Sequence, residues 1–214
     1  MLTKIKISAI LLVCLLTVSA AAVTSDVTSF PQKDVYGKGP LPYNYRIIDS
    51  NLHAGGHPLS PIGYFRNTDE EALSILSYLK SKGVRTIIDL ENTWWIQKRY
   101  RRLLKKAGIK RIHIPMHIRK TPNKKEWAQI KEAMKQPVYI HCKWGADRTG
   151  AVIGRYLVEK KEYAPKEAWK AVITGGSHAG PLGGLKTSIF YRKLAIFVWP
   201  DSRYEDLSSL KKAR

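Results

Sequence analysis

The sequence predicts an α/β domain: a small, mostly parallel central sheet flanked by helices on both faces. Three observations predict it. Short apolar runs of strand length alternate with longer stretches whose apolar residues recur every three or four positions. Most of the strand-like runs are separated by helix-like ones, and a strand reached through a helix is most simply parallel to the one before it. The chain has 214 residues, 44% hydrophobic and 25% charged, the size and composition of one ordinary globular domain rather than of a disordered or collagen-like chain.

The elements follow in chain order. Lys4 and Lys6 precede an apolar run from Ile7 to Val18 and then the small residues Ser19-Ala20-Ala21-Ala22. That is the pattern of a secretory signal peptide over residues 1–22, and the run falls short of the roughly 20 apolar residues that a bilayer span needs. Val13 before Cys14 argues against lipid attachment at that cysteine. The expected destination is therefore outside the cytoplasm, periplasmic or secreted. Cleavage would remove one of the two cysteines and leave Cys142 as a single thiol without an intramolecular partner. Residues 23–44 are rich in Ser, Thr, Pro and Gly with no apolar period, and read as an extended entry segment.

The domain is expected over residues 45–200. Strands are predicted at Tyr45 to Ile48 and Leu52 to Ala54, then a helix over Glu70 to Lys82 striped by Leu73, Ile75, Leu76 and Leu79. A strand from Arg85 to Leu90 leads to a helix over Trp95 to Ala107, whose face carries Ile96, Tyr100, Leu103, Leu104 and Ala107. Next come a strand from Arg111 to Pro115, a helix over Lys125 to Lys135, and the strand Val138 to His141. Helices over Arg148 to Lys160, Pro165 to Ile173 and Lys186 to Val198 complete the pattern, and residues 201–214 form a basic tail. No repeat is visible.

Ligands of open parallel sheets bind at the carboxyl ends of the strands, which directs attention to the loop after Val138 to His141. Residues 141 to 150 read His-Cys-Lys-Trp-Gly-Ala-Asp-Arg-Thr-Gly. Successive backbone N–H groups in a turn that opens a helix make a concave anion site, and the helix N-terminus adds positive potential. Gly145 permits the tight turn. Arg148 offers a planar fork of donors to two phosphate oxygens, and the same positive surroundings would lower the Cys142 thiol from its reference pKa of about 8.5. A nucleophile and a phosphate cradle coincide in one loop.

Cys142, five residues, then Arg148 and Thr149, preceded by His141, resembles the signature of the cysteine-based protein tyrosine and dual-specificity phosphatases. Leu52-His-Ala-Gly-Gly-His-Pro58 and the core strand Ile87-Ile-Asp-Leu90 add a looser likeness, over roughly residues 45 to 200, to the compact type found among exported bacterial enzymes. The resemblance implies a phosphocysteine formed by in-line attack of Cys142 and then hydrolysed by water. It also implies that Arg148 and the amides of Lys143, Trp144, Gly145 and Ala146 hold the phosphoryl oxygens, that Thr149 supports the departing thiolate, and that His141 orients the loop from beneath.

One departure from that family stands out. Its members usually carry an aspartic acid about 25 to 35 residues before the cysteine to protonate the leaving group. Here the stretch is Ile112-His-Ile-Pro-Met-His-Ile-Arg-Lys-Thr-Pro122, and no acid occurs from Asn92 to Lys125. Asp147 is the nearest substitute; myotubularins and certain secreted bacterial relatives carry an aspartate at that place. Trp199-Pro200-Asp201 spells the tripeptide of the tyrosine phosphatases, but it follows the signature instead of preceding it and is read as a helix end.

The chain holds 37 Lys and Arg against 17 Asp and Glu, a net charge of +20. Such a field attracts phosphates, anionic lipid or nucleic acid. Arg119 and Lys120 occupy the loop where the acid was expected, and are predicted to rim the pocket and favour a substrate with several negative charges. The expected partner is a phosphorylated protein or a polyanionic phosphorylated small molecule or lipid. An anionic membrane surface is compatible with the charge, and nucleic acid is the weaker reading. The alternatives are a phosphate-binding module of the same fold with negligible turnover, or a basic nucleic-acid or envelope-binding protein. No metal or cofactor is predicted: Pro115 separates His113 from His117, and His53 and His57 straddle two glycines. Trp94, Trp95, Trp127 and Trp169 are expected in or over the core, and Gly175-Gly176 with Gly183-Gly184 mark a loop that includes His178.

Overall fold

The computed structural model describes residues 39–60, 65–173, 178–181, 183–203 and 205–206. The predicted leader, most of the entry segment, Gly175-Gly176 and most of the tail lie outside the described residues.

Five strands form one sheet in the order β1-β2-β5-β3-β4. β1 (Arg46–Asp49) and β2 (Leu52–Gly55) form an antiparallel hairpin, having no helix between them. β2 lies parallel to β5 (Val138–His141), which is parallel to β3 (Thr86–Asp89), and β3 is parallel to β4 (Lys110–His113). The registers Ile88↔Ile140 and Asp89↔His141 bring the carboxyl ends of β3 and β5 level. The loops that follow them therefore meet at one edge of the sheet.

Side chains alternate across the sheet because strand periodicity is two. Ile87 and Tyr139 face the layer of α1 (Asp69–Ser81) and α2 (Gln97–Ala107), with Ile75, Leu76, Leu79, Tyr100 and Leu104. Leu52, Ile88, Val138 and Ile140 face α3 (Lys124–Ala133), α4 (Asp147–Lys160), α5 (Pro165–Ile173) and α6 (Arg192–Val198). Trp127, Ile130, Val152, Trp169 and Leu194 fill that second core. Capping boxes set two helix starts: Thr68 with Glu71 for α1 and Asn123 with Glu126 for α3.

Three expectations need correction. The final helix begins at Arg192, not Lys186, because the Leu185 and Lys186 N–H groups are drawn to Val172 O and Asp147 Oδ1, and a short 3₁₀ turn at Ile189–Tyr191 follows. The end of the entry segment is not a mere approach to the domain. Asn44 is buried, and Tyr43 O accepts the Gly56 N–H at 2.6 Å. Finally, Trp127 and Trp169 are buried and Trp95 covers the core edge-on to Phe65, as expected, but Trp94 is 82% exposed.

Candidate active site

All four residues of β5 are buried, and after His141 the chain turns sharply into α4. Gly145 makes the turn possible: its φ is +70°, and any Cβ there would run into the Gly55 carbonyl. The turn is bolted to the end of β2 and to the segment before β1. His57 N–H donates to Lys143 O at 3.2 Å, and the Asn44 side-chain amide donates to Gly145 O at 3.3 Å. The Leu52-His-Ala-Gly-Gly-His-Pro58 stretch thus earns its glycines by close approach to the loop. Ala146, at the N-cap of α4, offers no side-chain acceptor, in contrast to the boxed starts of α1 and α3. The first N–H groups of a helix have no partner within it, so the opening turn of α4 keeps donors for an anion.

A cavity of about 610 Å³ opens over this loop. Its lining includes Lys143, Trp144, Ala146, Asp147 and Arg148 from the loop and α4, with Asn92, His117, Ile118, Lys186 and Tyr191 around them. Cys142 lies between β5 and these residues, sealed to 2% exposure and packed into the larger core. Gly145 is buried within the turn.

Arg148 is held from several sides. Its Nη2 pairs with Glu91 Oε2 at 2.9 Å, while Nη1 donates to Leu90 O, Asn92 Oδ1 and Met116 O at 3.1 to 3.2 Å. Burial works against the guanidinium charge, but Cys142 and Glu91 facing it more than offset that and hold its pKa above the ordinary arginine value. Glu91, itself 1% exposed, is fixed in turn by the N–H groups of Asn92 and Thr93 and the Thr93 hydroxyl. A second guanidinium, that of Arg46, is buried nearby. It donates to His178 O and Asn44 O, and burial lowers its pKa to about 10 while Cys142 counteracts the fall.

Among the described residues Asp147 is the one acid in the cavity lining. Its Oδ1 accepts the Lys186 N–H at 3.0 Å, and burial raises its pKa above the usual carboxylate value, against the pull of Lys186 and Arg148. The protonated carboxylic acid is correspondingly favoured. The two loop cations sit differently from expectation. His117 and Ile118 provide the wall, because a tight turn pairs His117 with Lys120. Arg119 and Lys120 are exposed beyond it, Lys120 lying 3.6 Å from Glu126. Asp201 is exposed at the far end of α6 from Tyr191, so the Trp199-Pro200-Asp201 tripeptide does not reach the cavity.

Beneath the loop lies a buried polar layer. His141 Nε2 and the Tyr100 hydroxyl are 2.9 Å apart, Asp89 pairs with Arg111, and His57 packs on the rings of both Tyr100 and His141. Burial lowers the pKa of both histidines and raises that of Tyr100, which favours the neutral form of all three. His57, Asp89 and His141 converge closely enough to suggest a metal site. The hydrogen bonding contradicts it: Leu59 N–H donates to His57 Nδ1, which puts the imidazole proton on Nε2 and leaves no free lone pair. The layer is a support for the loop. Thr149 is fully buried behind Cys142 in sequence, and its hydroxyl has no hydrogen-bond partner among the described residues.

Sequence reasoning therefore located the loop, Cys142, Asp147 and Arg148, but missed Asn44, Arg46 and Glu91. Glu91 left a trace: it is the last acid before the 34-residue acid-free stretch. Arg46 left none.

Residues 65–162 match the family model described as "Polymorphic toxin system, DSP-PTPase phosphatase". The mouse dual specificity protein phosphatase CDC14B is 31% identical over 137 residues, which is 62% of this chain and 25% of that protein. The mouse phosphatidylglycerophosphatase and protein-tyrosine phosphatase 1 is 23% identical over 141 residues, 63% of this chain and 68% of the relative. The chain thus spans only about a quarter of the first relative. Among solved structures, Pseudomonas aeruginosa TpbA superposes with a TM-score of 0.54 at 18% identity, over 79% of this chain and 89% of that one. PTPMT1 does so with a TM-score of 0.51 at 20% identity, over 79% and 99%. At such identities the superpositions speak for the fold, and together with the sequence matches they agree on one conclusion: the chain has the fold of the cysteine-based tyrosine and dual-specificity phosphatases, and residues 65–162 resemble that family in sequence.

Proposed function

We propose that this protein hydrolyses phosphomonoesters through a phosphocysteine on Cys142, and that Asp147 supplies the proton that other members draw from a separate loop. The observation that carries the reading is the convergence on one cavity of the loop after β5, the uncapped start of α4, an anchored Arg148 and the acid Asp147. In the first step the Cys142 thiolate attacks phosphorus, the ester P–O bond breaks, and Asp147 gives its proton to the leaving oxygen. In the second, water attacks the phosphocysteine, Asp147 takes the proton back, and phosphate and thiolate separate. Arg148 and the amides of residues 143–148 face the equatorial oxygens, where negative charge is spread. Thr149, whose hydroxyl is otherwise unused, is assigned to the thiolate. Arg46 adds a fixed positive charge on the inner side of the loop.

The substrate is a phosphorylated protein or a phosphorylated lipid or small anion. Two named relatives bracket that range: a TpbA variant was solved with phosphotyrosine, and the mouse relative above is named for both lipid and tyrosine phosphatase activities. Export, as the leader predicts, would place the activity outside the cytoplasm. The deciding experiment is phosphate release by wild type and Cys142→Ser from phosphotyrosine, phosphoserine, phosphoinositides and inositol polyphosphates. Cys142→Ser should lose turnover and keep substrate binding; wild-type turnover in that variant would refute the covalent mechanism.

A further inference from the structure

Folded chains tuck away large apolar side chains unless something else covers them. Among the described residues six such side chains are exposed: Trp94, Trp95, Trp144, Ile189, Phe190 and Ile196. Five of the six belong to the segments that frame the catalytic cavity. Trp94 and Trp95 follow Asn92, which lines it, in the loop after β3, and β3 is level with β5. Trp144 lines it from the loop after β5. Ile189 and Phe190 precede Tyr191, another lining residue, in the segment that Asp147 pins through the Lys186 N–H. Trp94 is 82% exposed, Phe190 66%, Trp95 57% and Ile189 51%; Trp95 meets the core through the edge of Phe65, and core packing does not account for the surface that stays open.

The charged residues among them are cationic. Lys98 stands four residues after Trp94 on the same helical run, Lys186 three before Ile189, and Arg192 and Lys193 directly after Tyr191, all exposed. The nearest acids are engaged: Asp147 accepts the Lys186 N–H inside the cavity, Glu91 is buried under Arg148, and Asp69 is paired with Arg99 and Arg102. Indole and phenyl rings beside lysine and arginine suit the boundary between lipid headgroups and acyl chains, where the rings enter the apolar edge and the cations stay with phosphate. No described helix is long and apolar enough to cross a membrane, so this is a face that lies on a surface. The net charge of +20 selects an anionic one.

We propose that the rim of the cavity is a docking face for a bilayer rich in anionic lipid, seated by Trp94, Trp95, Ile189 and Phe190, so that the cavity opens onto phosphomonoester headgroups in the membrane plane. The assignment of headgroups as substrate rests on the reading of the cavity as the catalytic site; the docking itself does not.

Sedimentation of the full chain with vesicles of phosphatidylcholine alone, or mixed with phosphatidylglycerol, tests it. The variants are the pairs Trp94→Ser with Trp95→Ser, and Ile189→Ser with Phe190→Ser. None of these residues lines the cavity, and all forms share residues 1–38, so any leader contributes equally. Each pair should weaken binding to the anionic vesicles by about tenfold or more, given the apolar area removed. Hydrolysis of a soluble aryl phosphate should stay within about twofold of wild type, whereas hydrolysis of a phosphoinositide in vesicles should fall in step with binding. Equal vesicle binding by wild type and both pairs overturns the proposal. So does binding that high salt abolishes and the substitutions leave intact, the behaviour of a charged patch suited to acidic phosphoproteins. If wild type lacks Cys142-dependent turnover of the aryl phosphate while the pairs still lose vesicle binding, the catalytic reading fails and the docking face stands.

Discussion

Glu91→Gln isolates what a buried carboxylate does for the arginine above it. In the folded protein Glu91 Oε1 accepts three hydrogen bonds, from the Asn92 and Thr93 N–H groups and the Thr93 hydroxyl, and Oε2 accepts the Arg148 bond at 2.9 Å. A glutamine keeps the shape and one carbonyl oxygen. If that oxygen serves the three loop donors, its amide NH₂ is left pointing at the guanidinium, donor against donor. The lost interaction is one charge-assisted hydrogen bond, worth about 1.5–3 kcal/mol. Added to it is the uncompensated positive charge, so the total approaches the roughly 3–5 kcal/mol typical of breaking a buried pair from one side. Glu91 is 1% exposed but the Arg148 side chain is 15% exposed and opens to the cavity, which sets the expectation at the lower end, about 3 kcal/mol. For a chain of this size that lowers Tm by roughly 6–12 °C. Arg148 would retain its carbonyl acceptors Leu90 O and Met116 O but lose its orienting pair, and misplacement of such a group by about 1 Å can lower kcat/KM by about 100-fold. Thermal denaturation followed by circular dichroism reads the first effect, and aryl phosphate kinetics the second. A variant that melts within about 2 °C of wild type with unchanged kcat/KM would show that Glu91 does not hold Arg148.

Asp147→Asn should slow alkyl phosphates far more than aryl phosphates, by a general-acid factor of about 10²–10⁴, with equal slowing of both removing Asp147 from proton transfer. Since burial raises the folded Asp147 pKa above 3.8, the acid stays protonated to higher pH than an ordinary carboxyl and is lost as pH rises through its folded value; the basic limb of the kcat profile for alkyl esters should vanish in Asp147→Asn. By the same sign Asp147 detracts from stability above its unfolded pKa, so urea titrations near neutral pH should find Asp147→Asn at least as stable as wild type. Gly145→Ala should abolish phosphate release and lower Tm, because the new methyl group meets the Gly55 backbone, and a variant with wild-type kinetics would contradict the tight docking of the loop on β2.

Where chemistry was concentrated in consecutive residues, the chain could be read directly. The ten residues from His141 to Gly150 hold the proposed nucleophile, cradle and acid, and both flanking elements were recognisable by period; α5 falls where its pattern predicts, Pro165–Ile173. What escaped depends on partners distant in sequence. Glu91 and Arg148 are 57 residues apart, and Asn44 reaches Gly145 across 101. Nothing local marks such residues, and β1, with Arg46 facing inward, reads like any edge strand. The start of α6 was misplaced for the same reason: residues 186–191 have helical spacing, but Asp147, on another element, holds the Lys186 N–H. Trp94 was misjudged because composition ranks tryptophan as a core residue on average, and an average says little about a side chain at the rim of a cavity.

Cys142 belongs to two structures at once. Its thiol is part of the core that includes Ile140, Val152, Ile153 and Leu194, and in the proposed mechanism its sulfur is also the atom that attacks phosphorus. Close-packed interiors transmit small displacements instead of absorbing them. A methyl group added or removed at Val152 or Ile153 is therefore felt by the nucleophile, although neither residue lines the cavity. The usual division between positions free to drift and positions held by chemistry does not apply to this layer. If Cys142 is the nucleophile proposed, the reach of the reactive centre extends through the second face of the sheet, and the core there is constrained by catalysis as much as by folding.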